Sequence, residues 1–275
     1  MTPYRVKRQR TPILLSSKAR TILLLTMLFL GLFYAGWHYR NALVFYFSNT
    51  TKDFSQDQKL HALRNYQVLS THPGLAVGFD VSQYQGDIDW ERADTIDGRF
   101  PLDFVFIRAT AGVDGVDKKF YENWIVSERT SLLRGAYHYY RPNENSVEQA
   151  RNFIATVKLK KGDLPPVLDI EQVPDEQPMD SLRAGLRRWL NIVEKHYGMK
   201  PVIYTGESFY HDFLRDEFGG YDFWIANYNF FVESIDNEWT VWQFTEKAAI
   251  RGIEGPVDVN IFNGSRAEME KLVKK

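Results

Sequence analysis

From residue 76 onward, short apolar runs alternate with longer stretches in which apolar residues recur every three or four positions. Short runs predict buried strands, and the longer stretches predict amphipathic helices. The predicted strands are 76–81, 104–110, 135–140, 166–171, 201–205, 223–227, 240–244 and 257–262. The predicted helices are 118–133, 146–158, 179–197, 208–215 and 266–274. Eight strands interleaved with helices predict an α/β fold built as a closed (β/α) barrel.

The last third departs from a regular eightfold plan. Between residues 223 and 262 the predicted strands follow one another with little room for helices. We therefore expect this section to consist mainly of strands joined by loops or hairpins.

The N-terminus carries a different pattern, an uncharged run of 17 residues at 21–37. This length is near the lower limit for a helix that spans a bilayer. Tyr34 and Trp37 stand where interfacial aromatic residues are expected, and six basic residues with no acidic one precede the run. This asymmetry predicts a cytoplasmic N-terminus and an exported remainder. A cleaved signal peptide and a core helix of a soluble protein are the alternatives.

The chain thus divides into four predicted segments. They are a cytoplasmic basic tail at 1–20, a transmembrane signal anchor at 21–38, a juxtamembrane stalk at 39–75 and a barrel domain at 76–275. We expect a single-pass membrane protein in which the N-terminal helix contacts the lipid bilayer. Secretion after signal cleavage is the less favoured outcome.

Charge and cysteine content exclude several classes of protein. Residues 1–40 hold seven basic residues and no acidic one, which leaves 27 basic residues against 35 acidic ones in the remainder. A net charge of −8 there gives no support to a nucleic-acid-binding surface. The chain has no cysteine, so disulfides and a cysteine nucleophile are excluded.

The strongest candidate chemistry lies at 165–172, where an apolar run leads into Asp169 and Glu171. Alternation along a strand points both carboxylates to one face. Proximity and burial favour a retained proton on one of them, which is the starting condition for general acid catalysis. A strand end with solvated or helix-capping acids is the alternative.

Other polar residues also lie near predicted strand ends, where (β/α) barrels gather their reactive groups. Asp80, Asn227 and Gln243 lie near the ends of the first, sixth and seventh strands. Asp258 lies toward the start of the last strand, so either that boundary is misplaced or the acid reaches inward from a loop. Aromatic candidates for stacking on sugar rings are Tyr137, Tyr139, Tyr204, Tyr228 and Trp242.

Several motifs, in order along the chain, resemble those of glycoside hydrolase family 25, the Chalaropsis-type lysozymes or N-acetylmuramidases. Segment 78–90, Gly-Phe-Asp-Val-Ser-Gln-Tyr-Gln-Gly-Asp-Ile-Asp-Trp, is similar to the opening motif of that family. Further matches are 106–110, Asp117 with Phe120 and Asn123, 135–139, 168–171, 224–228, 242–244 and 257–260. Together they cover roughly residues 76 to 265.

The resemblance implies a modified barrel with five β/α units followed by a mainly β section. It also implies cleavage of the β-1,4 bond between N-acetylmuramic acid and N-acetylglucosamine in peptidoglycan. Glu171 would be the general acid/base, and Asp169 would stabilise the transition state or orient the substrate's N-acetyl group. Asp80 and Asp258 would complete the acidic cluster. Asn227, Tyr228, Gln243 and the aromatic candidates would contact the glycan strand.

One position departs from the family pattern. Family members usually carry a Glu before the Gly that follows 108–110, whereas this chain has Ala111 before Gly112. The missing carboxylate is expected to weaken a substrate contact or to shift preference among peptidoglycan variants.

We expect neither a cofactor nor a metal, because the chain has no phosphate-binding glycine loop and its six histidines have no ligand spacing. Two alternatives to the peptidoglycan hydrolase stay open at this point. One is a cell-wall-binding protein that uses the same scaffold without cutting glycan. The other is a hydrolase of a different polysaccharide.

Overall fold

In a computed structural model, described for residues 16–48, 55–236 and 238–275, the predicted barrel is present and closed. The strands are β1 (Val77–Val81), β2 (Thr95–Ile96), β3 (Phe100–Pro101), β4 (Phe104–Ala111), β5 (Gly115–Val116), β6 (Leu133–Tyr139), β7 (Val167–Asp169), β8 (Val202–Gly206), β9 (Phe223–Ala226), β10 (Val241–Ala248) and β11 (Val257–Phe262). All except β2, β3 and β5 form the barrel. The seven barrel strands from β1 to β10 run parallel, and β11 runs antiparallel to both of its neighbours, β1 and β10. The fold-class prediction is confirmed.

The helices are α1 (Ser17–His38), α2 (Arg40–Tyr46), α3 (Gln56–Thr71), α4 (Phe120–Ser127), α5 (Ser146–Thr156), α6 (Met179–Tyr197), α7 (Glu207–Phe209) and α8 (Arg266–Met269). A π-helical turn, Tyr210–Leu214, continues α7. Two predicted helices, 118–133 and 266–274, are shorter than expected by more than two residues. Helix α4 ends early because the Thr130 hydroxyl and amide both donate to the Ser127 carbonyl. The residues after α8 pack Leu272 and Val273 against the barrel interior.

The barrel interior is filled by large aromatic side chains at alternate strand positions. Phe104 and Phe106 of β4 are buried there, and the Phe106 and Trp224 rings lie 4.9 Å apart. Glycines opposite β4 make this packing possible. A Cβ added to Gly135 would lie 2.3 Å from the Phe106 ring, and one added to Gly78 would lie 2.4 Å from the Phe104 ring. A second, larger apolar cluster fills the layer between the strands and the outer helices.

Helix α3 lies within the predicted stalk, yet it packs against β10 of the barrel. Val68 and Leu69 are buried in the outer apolar cluster. Arg64 is also buried, and its guanidinium donates to the carbonyls of Phe244 and Asn229. This helix covers barrel surface in the section where, among the described residues 223–262, no α-helix follows a strand. The predicted boundary at residue 76 stays a prediction, and part of the predicted stalk, 49–54, lies outside the described residues.

Helix α1 contains the predicted anchor. Its 22 residues have a mean hydropathy of 1.7 in their most apolar window, and none of that window is buried. By length and composition the helix could cross a membrane as an anchor or serve as a signal sequence. Its C-terminal end is bonded to the barrel, because His38 Nε2 lies 2.8 Å from a Glu233 carboxylate oxygen and the Tyr39 hydroxyl donates to the other. Most of the predicted basic tail, 1–15, lies outside the described residues.

We predict that Gly135→Ala destabilises the barrel by about 1–3 kcal/mol, because the new methyl group must displace the Phe106 ring in a filled interior. Urea denaturation of the purified variant measures this change. Gly206→Ala is the matched control, since a Cβ there meets no atom within 4 Å. Equal unfolding free energies for the two variants would contradict the packing argument.

Candidate active site

The reversed strand β11 explains the position of Asp258. The carboxyl ends of the seven parallel strands open at one end of the barrel, and β11 begins at that same end because it runs the opposite way. Asp258 therefore pairs in register with Asp80 of β1. The bounds of the last strand, 257–262, were predicted correctly. The sequence did not reveal that this strand runs antiparallel to its neighbours, which is why the position of Asp258 was left open.

A cleft of about 280 Å³ lies at this end of the barrel. It is lined by Asp80, Val81, Ser82, Tyr84, Gln85, Arg108, Tyr137, Tyr139, Asp169, Glu171, Tyr204, Trp224, Tyr228, Gln243, Glu246 and Asp258. All four predicted catalytic acids lie in this set. So do five of the seven predicted substrate contacts.

Trp242 and Asn227 are not brought into the cleft. Trp242 is fully buried in the outer apolar cluster, 5.6 Å from the Phe244 ring, because alternation along β10 turns Gln243 inward and Trp242 outward. A buried indole cannot stack on a sugar, so a substrate contact at Trp242 is excluded. Asn227 lines an adjoining cavity that shares Glu171 and Tyr228 with the cleft, and its side chain donates to Glu207.

Asp169 and Glu171 interact directly, as their spacing predicted. Asp169 is 4% exposed, and its Oδ1 has no hydrogen-bond partner among the described residues. Burial raises the pKa of Asp169 well above its usual range, and both the charge of Glu171 and a hydrogen bond with it add to the rise. Burial within the cleft also raises the pKa of Glu171, although the hydrogen bond with Asp169 opposes the rise. The pair therefore retains a proton more readily than two free carboxyls would.

Asp80 is held by two amide groups. Gln243 Nε2 and Asn260 Nδ2 donate to the same Asp80 carboxylate oxygen at 2.8 and 2.9 Å. Gln243 is oriented in turn, because its Oε1 accepts hydrogen bonds from the hydroxyls of Tyr204 and Tyr228. Burial raises the pKa of Asp80 to about 6 in spite of these donors.

The pKa of Asp258 is raised further, because several neighbouring acids add to the effect of burial. Burial and the charges of Asp80, Glu246 and Glu171 raise its pKa to about 8. At neutral pH this carboxyl is therefore mostly protonated. Glu246 also lines the cleft, so five acids share it, and burial with mutual repulsion keeps part of this cluster neutral.

Sequence reasoning left seven of the 16 lining residues unassigned, among them Trp224 and Arg108, and it also missed Asn260, which holds Asp80. Trp224 lines the cleft, and its indole donates to Asn260 at 2.8 Å. The period-two relation of Asn260 to Asp258 was the available signal, since both occupy the inward face of β11. Arg108 also lines the cleft and was visible as the one charged residue in the apolar run of β4.

The arrangement suits acid–base chemistry on a bound glycan. It provides a retained proton, carboxylates close to it, and tyrosine rings on the walls for a sugar to contact. Among residues 16–48, 55–236 and 238–275, no group of three or more His, Asp or Glu side chains is placed to hold a metal ion. The absence of a cofactor stays a prediction.

Comparison with known proteins agrees with this geometry. The sequence profile of Glycosyl hydrolases family 25 matches residues 79–253. YegX of Escherichia coli (strain K12) is 42% identical over 200 residues, covering 71% of this chain and 72% of YegX. Lysozyme M1 of Streptomyces globisporus is 30% identical over 211 residues, covering 71% of this chain and 70% of that protein. A family 25 glycosyl hydrolase from Bacillus anthracis superposes with a TM-score of 0.65 at 32% identity, covering 72% of this chain and 93% of the other.

We predict that Asp258→Asn reduces the loss of stability at alkaline pH. The folded-state pKa of Asp258, about 8, lies above the value near 4 of an unfolded chain, so the folded protein binds more protons between these pH values. The contribution of this carboxyl to stability is full below about pH 4 and is lost as the pH rises through 8. Between pH 5 and 9 the parent should therefore lose more unfolding free energy than the variant, by more than about 1 kcal/mol.

Urea denaturation at several pH values measures this difference. Asp114→Asn is the control, because Asp114 is exposed and lies outside the cleft. Parallel pH profiles for the parent and Asp258→Asn would show that burial of Asp258 does not govern the pH dependence.

Proposed function

Because this chain belongs to glycosyl hydrolase family 25, we propose that it cleaves the β-1,4 bond between N-acetylmuramic acid and N-acetylglucosamine in peptidoglycan. Members of this family are glycoside hydrolases of the lysozyme type, which supports peptidoglycan hydrolysis in general. The observation that carries the finer proposal is the Asp169–Glu171 pair, which favours retention of a proton in the cleft at the open end of the barrel.

Glu171 is the proposed general acid. It is the more exposed member of the pair, so its carboxyl can reach a glycosidic oxygen that the buried Asp169 cannot approach. The proton that the pair shares across its hydrogen bond is delivered by Glu171 to the leaving sugar oxygen as the anomeric C–O bond breaks. Glu171 then accepts a proton from the incoming water.

Asp169 is the proposed electrostatic partner. With the shared proton on Glu171, Asp169 is a buried carboxylate next to the reacting centre. A fixed negative charge there stabilises the oxocarbenium-like transition state, or it orients the substrate's own N-acetyl group as the nucleophile. The second route gives net retention at the anomeric carbon. Asp80 and Asp258 complete the cluster, and the charge of Asp80 adds to the rise in the pKa of Asp169.

Four tyrosines and one amide are the proposed substrate contacts. Tyr137, Tyr139, Tyr204 and Tyr228 line the cleft walls, and Gln243 joins two of them to Asp80. Asn227 is proposed only for a sugar that extends into the adjoining cavity.

We also propose that α1 anchors the enzyme, with the N-terminus in the cytoplasm and the barrel exported. The basic residues before α1 and the complete exposure of its apolar window support this topology. A family of cell-wall hydrolases requires a catalytic domain outside the cytoplasm.

Glu171→Gln should lower peptidoglycan cleavage by about a hundredfold to ten-thousandfold, because the amide cannot donate the acid's proton. The unfolding free energy should change by less than about 1 kcal/mol, since Glu171 is exposed as a residue, although its carboxyl is partly desolvated in the cleft, and Gln has the same shape. Mass spectrometry of released muropeptides measures both the rate and the bond that is cut. Glu254→Gln, at an exposed position away from the cleft, is the control. Parent-like cleavage by Glu171→Gln would refute the assignment.

The absence of cysteine makes topology directly testable. A single cysteine at Asp114→Cys should react with a membrane-impermeant maleimide in intact spheroplasts. A single cysteine at Ser17→Cys, before the apolar run, should react only after lysis. The reverse labelling pattern would contradict the proposed orientation, and loss of the N-terminus from the mature protein would indicate a cleaved signal.

A further inference from the structure

A second cavity of about 510 Å³ opens beside the cleft and shares Tyr84, Arg108 and Tyr139 with it. Its other walls include Ala111, Lys118 and Arg141. We call this space the basic cavity. The two spaces adjoin at these shared residues, so a substituent on a sugar bound in the cleft would lie next to the basic cavity.

Positive charge dominates the lining of this cavity. Three cations face a single acid, Asp117, which is buried and already accepts from Arg108 Nε and from the backbone amides of Gln83 and Lys119. Within the described part of the chain, Lys118 forms no ion pair. Arg141 is paired through one Nη with Glu144, which lies outside the lining.

The side chain of Arg108 is held in place, and two of its nitrogen donors remain available to a ligand. Its Nε donates to Asp117 at 2.9 Å and its guanidinium lies 4.8 Å from the centre of the Tyr84 ring. No acceptor among the described residues takes its two Nη groups, and the side chain is 16% exposed. A guanidinium held this way offers a preorganised fork to a carboxylate.

The conformation of β4 leaves room for such a ligand. Pairing with β6 shifts in register between Arg108 and Thr110, so Arg108 and Ala111 both line the basic cavity although they are three residues apart. The methyl group of Ala111 adds no negative charge and little volume.

The cavity on the opposite side of the cleft has the opposite charge. It has a volume of about 520 Å³, and its charged lining residues are Glu171, Glu207 and Asp212. A carboxylate bound near the cleft is therefore repelled from one side and attracted to the other.

We propose that the basic cavity binds a carboxylate borne by the lactyl side of the muramic acid residue, and so orients the glycan in the cleft. This inference rests on the proposed function and names the sugar substituent that the basic cavity recognises. The carboxylate has two possible sources. It belongs to the attached stem peptide, or to the lactyl group itself where the peptide has been removed.

Ala111→Glu tests the proposal, with the size-matched Ala111→Gln as control. The substrates are peptidoglycan with free carboxylates and the same material after carbodiimide amidation. Ala111→Glu should raise KM about tenfold over Ala111→Gln on the free-carboxylate substrate, because the new charge repels the ligand, while kcat is retained. On the amidated substrate the two variants should have equal KM. Equal KM on both substrates, or equal shifts on both, overturns the proposal.

Lys118→Met and Lys118→Arg provide a second pair if Ala111→Glu fails to fold. The methionine variant should show the same selective rise in KM, and arginine should restore the parent value. Glycan stripped of peptides by an amidase then identifies the source. A rise in KM that persists on stripped glycan assigns the lactyl carboxylate, and one that disappears assigns the stem peptide.

Binding separates this inference from the proposed cleavage. Calorimetry with a soluble N-acetylmuramyl dipeptide that has free carboxylates should give weaker binding to Ala111→Glu than to Ala111→Gln, about tenfold in Kd. This result holds even if the parent cuts no peptidoglycan, in which case only the proposed function fails. Equal affinities would overturn the carboxylate site even if cleavage is confirmed.

Discussion

Closure of the barrel by the single reversed strand β11 is the constraint on which the site depends. Reversal brings the beginning of β11 to the end of the barrel where the other strands finish, so Asp258 stands opposite Asp80. The same strand supplies Asn260, which holds Asp80 and accepts from the Trp224 indole. One register between β1 and β11 therefore brings two acids and an amide together, and a slip of β11 by one residue would turn Asp258 and Asn260 out of the cleft.

The acidic cluster lowers the stability of the folded protein, and apolar burial in the rest of the barrel offsets this loss. Burial raises the pKa of all four predicted catalytic acids, and like charge adds to the rise for Asp80, Asp169 and Asp258. Their ionised forms are therefore disfavoured in the folded protein. The aromatic interior and the larger outer cluster supply the compensating apolar burial. Such a conflict between local chemistry and fold stability is typical of a functional site. Here it has a direct use, because a cluster that resists ionisation keeps a proton available near neutral pH.

The sequence predicted the strands and the Asp169–Glu171 pair because both depend on short-range patterns, apolar runs and the two-residue period. It could not assign Trp242 to the outer layer, because neighbours such as Trp242 and Gln243 separate only when the inward face of β10 is known. It left Asp258 ambiguous because direction in a sheet is a long-range property. Helix α3 has a weak periodic pattern, and its docking through Arg64 depends on carbonyls more than 160 residues away. The sequence did not distinguish Arg108 from an ordinary strand residue, because its contacts with Asp117 and Tyr84 form only in the folded chain.

The bonds between Glu233 and the end of α1 have a consequence for where this enzyme can work. Glu233 stands five residues after Tyr228 of the cleft wall, and between them Asn229 accepts a hydrogen bond from Arg64 of α3. If α1 crosses the bilayer as proposed, these bonds hold the cleft at a fixed distance from the membrane surface. Only glycan that passes within about one protein diameter of the membrane comes within range, so the geometry favours newly exported strands over the mature outer layers of the wall.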